Sequence, residues 1–153
     1  MEKPPTLLGI DAYLLSQSGK AGRNRVADRL ARHGLRLWHF AVLAALADFG
    51  PHSQRDLSAR LNVDVSDMAK VIDQLAADAR VDRVRDSADR RRMLVSLTDR
   101  GRELLADLVR EAGKVDRELL TGLSAAERKQ LHALLLKVYA QVDGPSAGVV
   151  DQL

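Results

Sequence analysis

The hydrophobic pattern of this chain changes its period once, between residues 80 and 98. The segment MLVSLT, residues 93–98, places three apolar side chains on one side of an extended chain, which predicts a β-strand. The segment RVDRVR, residues 80–85, shows a less regular version of the pattern, and the turn-forming DSADRRR separates the two. The sequence therefore predicts one β-hairpin, with three consecutive arginines, 90–92, at its tip.

Two short helices are predicted directly before this hairpin. Ser53 can cap a helix over residues 53–62, with Asp56 as the acid of a capping box, and Asp64 can cap the next helix, about 65–78. About three residues join them, which is typical of a helix-turn-helix. The second helix is expected to bury Met68, Val71, Ile72 and Leu75. A helix-turn-helix followed by a hairpin predicts a winged helix, a mainly α fold with a small β-hairpin wing.

Longer helical patterns flank the predicted winged helix. Leu7 to about Arg32 is a candidate first helix, and the strongly apolar residues 35–50 are a candidate second helix. Thr98 can cap a helix over about 99–121, and the capping box SAAE opens a last helix, 124–142, before a loose tail, 143–153. We expect residues 1–153 to form a single domain.

The net charge of +3 can be assigned to one segment. Residues 80–92 hold six Arg and three Asp, and the rest of the chain is balanced. A basic surface on an otherwise neutral protein indicates a polyanionic partner, although an arginine-rich hairpin can also be merely solvated.

Several functional classes have no support in the sequence. There is no cysteine for disulfide, zinc or thiol chemistry, and the four histidines lack metal-ligand spacing. We see no catalytic constellation, signal peptide or membrane-spanning stretch. We therefore expect a cytoplasmic protein that is not an enzyme and has neither cofactor nor metal.

The hairpin and its surroundings resemble the MarR family of winged-helix transcription regulators. The family signature is an Asp-x-Arg wing tip followed by V-x-L-T-x-x-G, which here corresponds to Asp89-Arg90-Arg91, then residues 95–98 and Gly101. Residues 35–66 resemble the second helix and the start of the helix-turn-helix of the family, and the resemblance covers roughly residues 7–142.

The resemblance implies a homodimer that binds double-stranded DNA. The helices at about 7–34 and 99–142 of two chains would intertwine, with the winged helices, about 35–98, beneath them. The Leu-rich patterns of the last two helices agree, because a chain with 3% aromatic residues has difficulty covering both. The alternative is that these helices pack within one chain. The resemblance further implies a repressor of a nearby gene, released by a small molecule.

The resemblance also gives roles to residues of the wing. Asp89 would steady the tip by pairing with an arginine, and Arg91 would enter the minor groove. Arg90 and Arg92 would contact phosphates. The full predicted DNA-binding set is Ser53, Gln54, Arg55, Ser66, Asp67, Lys70, Gln74, Arg83, Arg85, Arg90, Arg91 and Arg92.

This chain departs from the family at its recognition helix, which carries four Asp and one Lys over residues 64–78. Asp64 is explained as a cap, Asp73 could pair with a wing arginine such as Arg83, and Asp67 could accept from a cytosine amino group. The acidic character also favours an alternative function, a winged helix that assembles with proteins. Where the family often has Gly followed by Leu, the chain has Ala79-Arg80, and Arg80 would extend outward or contact a phosphate.

A small-molecule effector would fit the pattern of the family, in which ligands are often phenolic acids. Tyr13, Arg36, Trp38 and His39 could line such a site, because arginine or histidine can bind a carboxylate. Ordinary core packing is the favoured alternative for Trp38.

Overall fold

The computed structural model describes residues 2–142, so the predicted loose tail, 143–153, lies outside the described residues. Among these residues the elements are α1 (Pro5–Leu8), α2 (Asp11–Ala31), α3 (Leu37–Phe49), α4 (Gln54–Leu61), α5 (Val65–Ala77), β1 (Val81–Arg85), β2 (Met93–Leu97), α6 (Asp99–Leu119) and α7 (Ala125–Val142). The chain divides into two compact units, the first ending at Val115 and the second beginning at Asp116. The predicted fold class, mainly helical with one β-hairpin wing, is confirmed.

The core of the first unit lies around α3. This helix carries apolar residues on most of its surface, because side chains from several elements surround it. The largest fully buried apolar side chains of this core are Leu30, Val42, Leu43, Leu57, Met68, Ile72, Leu75, Val81 and Leu108. Burial of each such side chain contributes about 1.5–3 kcal/mol, so this core sets the positions of the helix-turn-helix and the hairpin.

The first helix is not continuous, contrary to the prediction for Leu7 to about Arg32. The four-residue α1 ends at Leu8, and Ile10 is extended before α2 begins at Asp11. The backbone N–H of Gly9 closes the last turn of α1 on Pro5. Within α2, Leu30 is fully buried, whereas Leu14 is exposed. The spacing of apolar residues does not reveal the break at residues 9–10, because the segments before and after it are both helical.

The helix-turn-helix forms through the predicted caps. The Ser53 hydroxyl accepts the backbone N–H of Asp56 at 3.1 Å, and the Asp64 carboxylate accepts that of Ser66 at 2.7 Å. Asn62 ends α4 in the left-handed conformation, which reverses the chain between the helices. The apolar side of α5 buries the four residues predicted for it, Met68, Val71, Ile72 and Leu75.

The wing is a two-stranded antiparallel hairpin in which Val81 pairs with Leu97 and Arg85 pairs with Met93. His52 adds a short backbone bridge to Val95, with hydrogen bonds of 3.1 and 2.7 Å. Val81 and Val95 are buried at the base, whereas the tip extends into solvent. The hairpin is therefore anchored to the core at one end only, which leaves its arginine-rich end open.

The Thr98 and Gly101 positions of the V-x-L-T-x-x-G signature lock the base of the wing to α6. The Thr98 hydroxyl accepts the backbone N–H of Gly101 at 3.0 Å and donates to the carbonyl of Ala79 at 2.7 Å. A Cβ at Gly101 would lie 2.1 Å from the Arg80 carbonyl oxygen, so only glycine fits. The Arg80 guanidinium donates to the carbonyl of Arg100 at 2.9 Å on the exposed side of this junction.

The second unit contains α7, which begins with the predicted capping box. The backbone N–H of Ser124 donates to the Glu127 carboxylate, and the N–H of Glu127 donates to the Ser124 hydroxyl. No residue of α7 is buried in the described chain.

None of the described helices is both long and apolar enough to cross a membrane.

Candidate nucleic-acid interface

The outward face of α5 carries the predicted recognition residues. Ser66, Asp67, Lys70, Asp73 and Gln74 are all exposed, whereas the opposite face packs in the core. The wing contacts this helix through the Arg83–Asp73 ion pair, and it contacts α4 through the Arg92–Asp56 ion pair. These three elements together form the candidate interface.

The first turns of α5 hold their polar groups through local hydrogen bonds. The Ser66 hydroxyl donates to the Asp64 carboxylate, and the Lys70 ammonium lies 3.4 Å from an Asp67 carboxylate oxygen. The hydrogen bond from the Ser66 hydroxyl is the first cause of the lowered pKa of Asp64. Asp64 and Asp67 therefore each have a partner within α5 and its cap. These contacts reduce the negative potential that four aspartates in this segment would otherwise produce.

Two wing arginines pair with acids of the helix-turn-helix. Arg83 forms an ion pair with Asp73 of α5, as predicted for that aspartate, and Arg92 forms an ion pair with Asp56 of α4. Arg92 also donates to the Ser53 hydroxyl at 3.4 Å. In this conformation Arg83 and Arg92 join the wing to the two helices, so Arg92 does not stand free for its predicted phosphate contact.

The wing tip is organised by Asp89, but not through the predicted arginine side chain. The Asp89 carboxylate accepts the backbone N–H of Arg91 at 3.0 Å, and its carbonyl accepts the N–H of Arg92 at 2.9 Å. This Asx-type turn fixes the direction of the tip. The Arg85 guanidinium donates to the carbonyl of Arg90 at 2.9 Å and braces the tip from inside.

Arg90 and Arg91 are exposed arginines of the tip that have no partner for their guanidinium groups in the described chain. Within residues 2–142, their guanidinium groups form no hydrogen bond or ion pair with the protein. Ten N–H donors are thus available at the end of a narrow hairpin, since each guanidinium carries five. The DNA-binding roles of Arg90 and Arg91 stay predictions.

The start of α4 supplies the remaining predicted contacts. Ser53 is committed to the cap, Gln54 is half-buried, and Arg55 is exposed. The Ser53 hydrogen bond and the nearby Arg92 lower the pKa of Asp56, with the hydrogen bond as the larger cause. Arg55 is therefore the residue of this helix start that is best placed to contact a phosphate.

Gln74, a member of the predicted DNA-binding set, has its amide group occupied by protein partners. Its Oε1 accepts from His39 Nε2 at 2.8 Å, and its Nε2 donates to the carbonyl of Gly34 at 3.2 Å. Both ends of the amide are thus held by residues more than 30 positions away in the chain. The helical pattern of α5 predicts that Gln74 is exposed, but it does not predict His39 and Gly34 as its partners, because they lie in another part of the chain.

The four predicted effector residues have different environments. His39 is 2% exposed, and burial is the main cause of its lowered pKa, so it is held neutral and is a poor partner for a carboxylate. Trp38 is partly buried against the core, which fits the favoured packing alternative. Arg36 is exposed at the start of α3, and Tyr13 is half-buried on α2.

A polar cluster beside the interface was missed in the sequence. His52, Asp56, Ala59 and Arg60 line an open depression, where Arg60 Nε donates to His52 Nε2 at 3.2 Å. The Arg60 guanidinium also lies 4.1 Å from the centre of the Phe49 ring. Asp56, Ala59 and Arg60 share one face of α4 at helical spacing, but His52 lies in the loop before the helix, so the spacing alone does not indicate the cluster. Over residues 2–142, no group of three or more potential ligands could hold a metal ion.

Comparison with known proteins places these features among transcription regulators. The family model described as MarR family matches residues 33–92. The HTH-type transcriptional repressor NicR of Pseudomonas putida is 33% identical over 99 residues, which are 65% of this chain and 63% of NicR. The uncharacterized HTH-type transcriptional regulator YkoM of Bacillus subtilis is 32% identical over 105 residues, 69% of this chain and 68% of YkoM.

A solved structure extends the likeness to most of the chain. BpsR of Bordetella bronchiseptica, whose DNA binding is described as regulated by 6-hydroxynicotinic acid, is 30% identical with a TM-score of 0.68. The superposition covers 85% of this chain and 93% of BpsR. By sequence, the chain spans between 58% and 68% of the length of the four curated relatives compared.

Proposed function

Because the chain belongs to the MarR family, we propose that it is a homodimeric, sequence-specific DNA-binding regulator of transcription. It represses a target gene by binding a palindromic operator, and a small molecule releases it. Each subunit places α5 in the major groove and the tip of the wing in the adjacent minor groove.

The open arginines of the wing tip carry this proposal. A narrow minor groove concentrates negative potential and attracts guanidinium groups, and a hairpin is thin enough to enter it. Arg91 is the groove residue and Arg90 a phosphate contact, whereas the Asp89 turn holds both in place. These contacts provide affinity with little information about sequence.

Sequence information comes from the first turns of α5. Ser66, Asp67 and Lys70 are exposed on its outer face, where a recognition helix contacts base edges. An aspartate carboxylate can accept from the amino group of cytosine, so Asp67 favours a C·G pair at the position it faces. The Asp67–Lys70 contact is exposed and weak, and it can exchange for contacts with DNA.

Dimerisation is supported by apolar side chains that the described chain leaves in solvent. On α7 these are Leu134, Leu135, Leu136, Val138, Tyr139 and Val142. On α1 and α2, and between them, Leu8, Ile10, Leu14 and Leu15 are also exposed. Exposed apolar clusters of this kind mark protein–protein interfaces, and a twofold dimer would present two wings and two α5 helices to half-sites about one helical turn apart.

A small aromatic acid is the proposed effector class. BpsR is described as regulated by such a molecule, 6-hydroxynicotinic acid. In this chain the exposed Arg36 is the predicted side chain best suited to a carboxylate, with Tyr13 and Trp38 as aromatic neighbours in the proposed site.

The alternative function, a protein-binding winged helix, loses most of its support. It depended on the acidic residues of α5, yet Asp64 caps the helix, Asp67 contacts Lys70, and Asp73 pairs with Arg83. Of the tip arginines, Arg90 and Arg91, in contrast, lack such partners in the described chain, whereas Arg92 pairs with Asp56.

The test is DNA selection followed by a mobility-shift assay. Genomic fragments retained by the purified protein give the operator, and Arg91→Ala is then compared with Arg23→Ala, which removes an equal charge from the exposed face of α2. We expect Arg91→Ala to weaken binding at least tenfold and to reduce the salt dependence by about one unit of log–log slope per lost contact. Arg23→Ala should bind like the parent. A protein that binds no duplex at low ionic strength would refute the proposal.

A further inference from the structure

Gln74 links the recognition helix to two other parts of the fold. Through Oε1 it accepts from His39 of α3, and through Nε2 it donates to Gly34, in the junction between α2 and α3. Gly34 adopts a positive φ of 69°, which directs the chain from α2 into α3. One exposed side chain of α5 therefore contacts both α3 and the turn that leads into α3 from α2.

The hydrogen bonds of His39 determine which ring nitrogen carries the proton. Nδ1 accepts the backbone N–H of Arg36 at 3.0 Å, so the neutral ring must carry its proton on Nε2 and donate it to Gln74. With Gln74 in place as its acceptor, the His39 residue is 2% exposed. Burial, and to a lesser extent the charge of Arg36, lowers the pKa of His39, whereas the hydrogen bond to Gln74 and the charge of Asp78 raise it.

Whether Gln74 could leave His39 to bind a base depends on two free energies, the gain from the base contact and the cost of leaving the His39 N–H without an acceptor. A bidentate glutamine–adenine contact is worth about 1–3 kcal/mol of discrimination. Releasing His39 leaves a buried N–H without an acceptor, at a cost of about 1–3 kcal/mol. The two terms are of similar size, so exchanging His39 for a base brings Gln74 little net gain.

We infer that Gln74 is a positioning residue, which with His39 and the Gly34 carbonyl fixes the orientation of α5 on α3 and reads no base. This inference rests on the proposed function, since it assigns a role within the same DNA-binding surface. Arg36 and Trp38 lie in the same first turn of α3 as His39. A ligand that shifts this turn would therefore move α5 through the Gln74 link.

The first test uses the free protein. Gln74→Ala removes both hydrogen bonds from an exposed position and leaves the core intact, whereas Lys70→Ala on the same helix face is the matched control. We expect amide hydrogen exchange over residues 36–39 to accelerate at least threefold in Gln74→Ala and to stay at the parental rate in Lys70→Ala. Unchanged exchange in Gln74→Ala would overturn the inference whether or not the protein binds DNA.

The second test uses a panel of operators in which each base pair of one half-site is changed in turn. We expect Gln74→Ala to weaken binding to every duplex by a similar factor, about tenfold, without abolishing discrimination at any single position. Loss of discrimination at one base pair alone would identify Gln74 as a base reader and refute its positioning role. Absence of binding by the parent protein would instead refute the proposed function.

A double-mutant cycle adds an independent measure of the link. If Gln74 acts through His39, then Gln74→Ala should cost little further affinity in a His39→Leu background, once circular dichroism shows that this variant is folded. Additive losses would show that the two residues act separately and would contradict the inference.

Discussion

Gly101→Ala tests the close approach between α6 and the base of the wing. The added Cβ would lie 2.1 Å from the Arg80 carbonyl oxygen and 2.6 Å from Leu97 Cδ1. Carbon and oxygen atoms that are not bonded require more than about 3 Å, so the chain must separate by about 1 Å. The leucine can rotate, but the carbonyl belongs to the backbone and moves only with β1.

The expected loss follows from three terms of known size. Overpacking costs about 1–3 kcal/mol, occasionally more. The displaced Arg80 carbonyl accepts the backbone N–H of Thr98 at 3.2 Å, and loss of that bond adds about 1 kcal/mol. Alanine is favoured over glycine in a helix by about 1 kcal/mol, which offsets part of the cost. We expect the free energy of unfolding to fall by about 1–3 kcal/mol.

Urea unfolding monitored by circular dichroism measures this change. All variants are compared at one protein concentration, because the stability of a dimer depends on concentration. Gly19→Ala is the control, since a Cβ at this helical position meets nothing within 4 Å. It should raise the free energy of unfolding, by up to about 1 kcal/mol. A Gly101→Ala protein as stable as the parent would refute the close approach as the reason for glycine at this position.

Three further predictions concern stability. Ala79 has a positive φ of 56°, so Ala79→Gly should raise the urea midpoint by the equivalent of about 0.5–1 kcal/mol, and a lower midpoint would contradict backbone strain there. Asp64→Ala removes the cap of α5 and should cost about 1 kcal/mol in thermal or urea unfolding, whereas Asp64→Asn, which can still cap, should cost much less. His39 stays neutral in the folded protein because burial lowers its pKa, whereas in the unfolded chain it protonates near its ordinary pKa of 6.5. Its stabilising contribution is therefore complete above that pH and lost as the pH falls below it. Urea midpoints measured from about pH 7.5 to 5.5 should fall more steeply for the parent than for His39→Gln, and parallel curves would exclude His39 as the cause.

Much of the fold could be predicted because its signals are local. A cap and the residue it contacts lie two or three positions apart, as with Ser53 and Asp56 or Ser124 and Glu127. The apolar face of α5 repeats with the helical period, so its buried residues follow from the sequence directly. The dimer, the operator and the roles of the DNA-binding residues stay predictions.

The partners of the interface side chains were harder to predict because they are distant in sequence. His39 and Gln74 are 35 positions apart, and Asp56 and Arg92 are 36 apart. Helical spacing tells which side chains face outward, but only the packing of α3 and α4 against α5 and the wing decides what they meet. Asp73 and Arg83 were predictable as a pair because they are 10 positions apart, across a single turn between α5 and β1.

The cost of breaking each contact indicates which residues of the interface can be released to DNA. The Arg83–Asp73 and Arg92–Asp56 pairs are well exposed, with Asp73 at 70%, so each contributes at most about 1 kcal/mol in water. A phosphate can replace either carboxylate at little cost, because the freed acid remains hydrated. Arg83 and Arg92 can therefore brace the wing in the free protein and contact the backbone of DNA in the complex. Gln74 has no such freedom, since its release strands a buried N–H of His39. All three side chains are themselves exposed, but their partners differ. Arg83 and Arg92 can leave their exposed carboxylate partners for DNA, whereas Gln74 stays with the buried His39 and holds α5 in position.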